Sequence, residues 1–167
     1  MAGKDVLSAK TPESFKDHYY PLLMEQYKLY VNMADKVSGR RDNINKLFLG
    51  IMTILLGGVG VSLNSGKATP FPLVVSVMGM LFCYIWHQII NSYRQLNSGK
   101  YRIVHQIEDK LPVKPYDAEW EALGKGKDPE LYVPISHVEE RIPILFGVAY
   151  AVIAVISIIL LVLSVRV

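Results

Sequence analysis

The chain has 167 residues, room for one domain of ordinary size but not for two large ones. It is 51% hydrophobic and 20% charged with a net charge of +3, greasier than an average soluble domain and too weakly basic for nucleic-acid binding. No Lys, Arg, Asp or Glu occurs in 47–66, 68–93 or 142–165, and an uncharged apolar stretch of about 20 residues crosses a bilayer as a helix. This patterning excludes a soluble enzyme of average composition, a disordered tail and a disulfide-stapled secreted domain. It makes the lipid bilayer the first expected partner.

Taken in chain order, residues 1–10 are small and polar. Thr11-Pro12-Glu13 has the form of a helix start, a hydroxyl cap followed by proline and an acid. Pro21 breaks that helix and starts another. From Leu23, apolar residues fall at Tyr27, Tyr30, Val31, Ala34 and Val37, opposite Glu25, Lys28, Asp35 and Lys36. That spacing predicts an amphipathic helix running through Arg40, Arg41 and Lys46 into a first span. The first apolar run starts only at Leu47, after a charged segment, so no cleavable signal peptide is expected, nor a lipidation motif.

The first span covers about 47–63, and Asn64-Ser65-Gly66-Lys67 predicts a short turn. The second covers about 71–90, with Trp86 placed as an interfacial ring near its end. Helical spacing continues through Ile89, Tyr93, Leu96, Lys100, Val104, Ile107 and Leu111, so one long helix is expected, ended by Pro112. Asp117 is expected to cap a short helix at 118–123, which Gly124 stops; Gly124-Lys125-Gly126-Lys127 follows as a flexible hinge. Ser136-x-x-Glu139 reads as a capping box before the third span, 142–165.

The predicted fold is therefore all-α: a polytopic membrane protein with three transmembrane helices and a helical cytoplasmic region, assembled as a symmetric homo-oligomer. Its parts are a cytoplasmic segment 1–46, a hairpin 47–93, a cytoplasmic extension 94–141 and the last span. Segments 1–46 and 94–141 hold eight Lys or Arg each; only Lys67 and Arg166 lie elsewhere. Basic residues near span ends stay preferentially inside, so the N-terminus is expected in the cytoplasm and the C-terminus outside. The aromatic and aliphatic stripes of one small protomer need partners, which favours self-assembly.

The candidate site residues are mostly packing groups. Gly147 and Ala151 are four apart, Ala154 follows, and Thr53/Gly57 and Gly79/Cys83 repeat the spacing. Small residues so placed let helix backbones approach closely in lipid, either between subunits or within one protomer. His87, Gln88 and Asn91 sit near the inner end of span two and read as interface groups; lining a pore with Ser76 and Thr53 is their sharper alternative. Cys83 is the lone cysteine and reads as a packing residue. The histidines are dispersed, so no metal or other cofactor is expected. Paired acids Glu108-Asp109 and Glu139-Glu140 are expected to be solvated, and no catalytic constellation appears, so an enzyme is not expected.

The run Asn91-Ser92-Tyr93-Arg94-Gln95-Leu96-Asn97-Ser98-Gly99-Lys100-Tyr101, then Glu108, Leu111-Pro112 and Pro115-Tyr116-Asp117-Ala118-Glu119-Trp120, resembles the RipA family of octameric membrane proteins. Gly126-Lys127-Asp128-Pro129 and Glu139/Arg141-Ile142-Pro143 extend the likeness to about residues 25–160. The resemblance implies a small bacterial inner-membrane protein that forms an octamer and is linked to adaptation to cytosolic or host conditions. It implies no enzymatic chemistry. The expected role is thus an oligomeric scaffold or pore-like assembly; the alternatives are a membrane-permeabilising effector of a defence system, or a small sensor subunit for an unidentified protein partner.

Overall fold

The computed structural model describes residues 13, 15–65, 69–134 and 138–165. The expected cap at Thr11-Pro12, the Gly66-Lys67 end of the first turn and the Ser136 capping box lie outside them. Among the described residues every regular element is helical. A short 3-10 turn at Lys16–His18 leads into α1, Tyr19–Asn64; then come α2, Phe71–Glu108, α3, Pro115–Ala122, a 3-10 turn at Gly124–Gly126, and α4, Arg141–Val165. Pro21 falls in the first turn of α1, where its missing N–H costs no helical bond.

Three helices, α1, α2 and α4, are long and apolar enough to cross a membrane. At 46 and 38 residues, α1 and α2 far exceed the roughly 20 residues that a span requires. The chain divides into two compact units, 1–39 with 94–134 and 40–93 with 135–167, so α1 and α2 each contribute to both.

In the first unit, α1 and α2 pack antiparallel. Leu23, Ala34 and Val37 are buried on one side, Val104, Ile107 and Glu108 on the other, while Glu25, Lys28, Asp35 and Lys36 stay exposed. Asn97 donates from its amide nitrogen to the Ser38 hydroxyl at 3.1 Å, and the Lys100 ammonium lies 5.8 Å from the centre of the Tyr30 ring, a cation–π contact. Leu96, part of the helical spacing that predicted this extension, is exposed; Asn97 and Tyr101 take the half-buried positions beside Val104.

In the second unit, Met52 of α1, Cys83, Trp86 and Ile90 of α2 and Tyr150 of α4 form a buried core. Trp86, expected as an interfacial ring, is covered by protein on all sides. It is stacked on Phe48 at 5.5 Å and tilted against Phe146 at 6.1 Å. Its indole N–H donates to the Asn45 side-chain oxygen at 3.0 Å, because a buried indole donor needs a partner. The Tyr150 hydroxyl donates to the Met52 carbonyl at 3.0 Å, tying α4 to α1. Arg41 and Glu139 approach at 3.0 Å with side chains only 16% exposed; the approach is off the N–H direction, an ionic contact rather than an aligned hydrogen bond. Glu139 is therefore paired instead of solvated.

Candidate functional site

The most constrained polar group in the first unit is Glu108, the last residue of α2. Its side chain is fully buried, contrary to the solvated role expected of the Glu108-Asp109 pair. One carboxylate oxygen accepts the Tyr27 hydroxyl at 2.8 Å and the Tyr116 backbone N–H at 3.0 Å; the other accepts the Asp117 N–H at 3.2 Å. The last two donors belong to the first turn of α3, where helix N–H groups lack partners within the helix. A carboxylate four residues upstream of Pro112 thus does the capping that was expected of Asp117. No side chain caps α3 at its own boundary residue, Lys114, and the helix begins at Pro115.

This clamp also explains why α2 stops at Glu108 and not at Pro112. The chain must reverse to bring residues 116 and 117 back onto the carboxylate, and i→i+3 bonds from Lys110 to Ile107 and from Leu111 to Glu108 tighten the last turn. Lys114 pairs with Asp109 across the loop; the hydrogen bond and charge of the ammonium hold the Asp109 carboxyl below its ordinary range. Burial, then the hydrogen bond and charge of Glu108, push the Tyr27 phenol well above its usual value.

Beyond the clamp, α2 and α3 enclose a cleft of about 620 Å³. From α2 come Ser98, Tyr101, Arg102 and His105, one face at helical spacing; from α3 come Tyr116, Glu119 and Trp120. Leu123 and Tyr132 complete it. The Tyr101 and Tyr116 rings tilt together at 5.7 Å. His105 Nδ1 lies 3.6 Å from Glu108 and 4.0 Å from Asp117. Burial, then the nearby Tyr116, Asp35, Glu119 and Tyr132, push the Tyr101 phenol up.

The floor by Trp120 is set by the Gly124–Gly126 turn. Gly124, Lys125 and Gly126 all adopt positive φ, at 61°, 55° and 65°, and a Cβ on Gly126 would stand 3.1 Å from the Trp120 ring and 3.2 Å from Pro134. The segment expected to be a flexible hinge is instead a left-handed turn packed against the ring. Gly124 does stop α3 in the left-handed conformation.

The other sequence-derived residues are dispersed. Gly79 is buried under Tyr150, whose ring atoms would lie 2.7 Å from an added Cβ; Gly147 faces Cys83, and Ala154 is buried. Ala151, Thr53 and Gly57 are exposed. Thr53 and Ser76 bond the Leu49 and Pro72 carbonyls of their own helices. His87 is half-buried with Nδ1 lacking a hydrogen-bond partner, Gln88 is exposed on the Tyr84 hydroxyl, and Asn91 is half-buried. Of the motif residues, Tyr93 and Arg94 are half-buried and Pro112 is exposed in the loop; Trp120 lines the cleft. The cleft itself was missed, although 98/101/102/105 and 116/119/120 carry aromatic and charged groups at i, i+3, i+4 spacing. No cluster of His, Cys, Asp or Glu suited to a metal occurs among the described residues.

Comparison with known proteins returns no matching curated protein and no matching solved structure. A family model, however, matches residues 24–159, running from the helix that carries Tyr27, through the Glu108 clamp and the cleft, into α4. Three helices fit to cross a membrane and a match over most of the chain assign this protein to the octameric membrane protein family, 8xMP.

Proposed function

We propose that the protein is a non-enzymatic subunit of a homo-octameric inner-membrane assembly, a ring-like scaffold or pore-like particle of the RipA kind that aids adaptation to cytosolic or host conditions. The family match over residues 24–159 carries this reading. Outward-facing apolar groups support it: Ile54, Val61 and Leu145 are 71–75% exposed in the protomer, and such surface needs lipid or neighbouring copies. The concentration of Lys and Arg in 1–46 and 94–141 supports a cytoplasmic first unit and N-terminus, with the C-terminus outside.

The test is the mass of the particle in detergent. Eight copies of an 18.8 kDa chain give about 150 kDa of protein, and a particle of one or two chains overturns the reading. A reporter fused after Val167 is expected to read outside; a cytoplasmic reading overturns the orientation alone.

A further inference from the structure

The cleft between α2 and α3 is lined by aromatic and charged side chains that the Glu108 clamp does not use. We propose that it binds an organic cation, a quaternary alkylammonium group carried by a free small molecule or by a lipid headgroup. Its volume, about 620 Å³, is that of a small-molecule site. Four of its side chains, Tyr101, Tyr116, Trp120 and Tyr132, are aromatic, and ring faces attract cations. Trp120 is held by the left-handed turn beneath it, since even a Cβ on Gly126 would press on the ring, while 40% of the residue remains accessible.

Among the described lining residues Glu119 is the acid that balances Arg102 in charge, and further carboxylates stand close to the rings. Glu119 lines the cleft and forms no ion pair among the described residues. Asp35 and Glu119 both act on the Tyr101 hydroxyl, and Glu108 and Asp117 stand behind His105. An anion site would instead need converging cations or backbone N–H groups. Here Arg102 is the one arginine or lysine among the described lining residues, and it is exposed. The cation therefore sits on the aromatic faces with Glu119 as counter-charge, and Arg102 opposes it.

The experiment uses the full chain in a maltoside detergent, titrated by calorimetry with choline and with its neutral isostere 3,3-dimethylbutanol. Choline is expected to bind saturably and about tenfold or more tightly than the isostere. Glu119→Gln and, separately, Trp120→Leu should each weaken it by about tenfold, whereas Arg102→Gln should tighten it, with circular dichroism and particle mass unchanged throughout. Nanodiscs of phosphatidylcholine competing with choline, where phosphatidylglycerol does not, identify a lipid headgroup; equal choline binding in both identifies a free quaternary ammonium molecule. Equal binding of choline and isostere, no binding, or indifference to Glu119→Gln overturns the proposal. So does loss of the octamer in the Glu119 or Trp120 variants, which would make the cleft a seat for a neighbouring copy.

Discussion

Glu108 illustrates how one side chain can fix a chain reversal. Its two oxygens satisfy three donors from two other segments, and all three would be orphaned by its removal. Glu108→Gln keeps one acceptor oxygen but turns an amide NH2 toward a backbone N–H or a hydroxyl, which should cost about 1–3 kcal/mol. Glu108→Ala adds a cavity and leaves every donor unpaired, so it should cost more, about 3–5 kcal/mol. Hydrogen exchange gives the direct readout: the Tyr116 and Asp117 amides lose protection in both variants, more in the alanine, while amides around Met52 and Tyr150 keep theirs. Unchanged protection at 116 and 117 would mean that α3 is held by something other than this carboxylate.

At the scale of elements, the contact between α1 and the end of α2 should weaken in alkali. The Tyr27 phenol has its pKa raised by burial and by Glu108, so the folded state holds this proton more tightly than the unfolded chain does. The stabilisation is then complete below the unfolded value of about 10 and is lost as pH rises beyond it. Helicity followed through an alkaline titration should fall for the wild type, and Tyr27→Phe should be less stable at neutral pH yet flatter above pH 10; an equally steep loss in the variant would assign the transition elsewhere. What the sequence made legible follows the same division. The stripe from Leu23 to Val37 is periodic, and its periodicity survives folding as the burial of Leu23, Ala34 and Val37, whereas the three apolar runs were legible from their length and lack of charge. The clamp was not legible because Glu108-Asp109 looks like any solvated acidic pair; only the reversal at 109–114 brings the α3 N–H groups to it. The burial of Trp86 was not legible for a similar reason, since its partner Asn45 lies 41 positions away. The cleft needs both stripes, and the second stripe is only eight residues long.

For the whole molecule, the small residues that looked equivalent in sequence separate into two classes, and the octamer discriminates between them. Gly79 faces a tyrosine ring 2.7 Å from where its Cβ would be, so Gly79→Ala must move Tyr150 and strain its bond to the Met52 carbonyl. Overpacking of that kind costs about 1–3 kcal/mol and should lower the melting temperature of the protomer core whatever its oligomeric state. Gly57 has nothing within 4 Å of its Cβ position, and neither have Gly50, Gly58 or Gly60 on the same helix. No neighbour among the described residues explains these glycines, while Gly50 and Gly57, seven apart on one face, leave a bare strip of backbone that suits close approach of a helix from another copy. Gly57→Leu should leave helicity and the Trp86 environment intact but shift the detergent particle to smaller mass; an undiminished octamer would mean that this strip faces lipid and that the copies meet on another face.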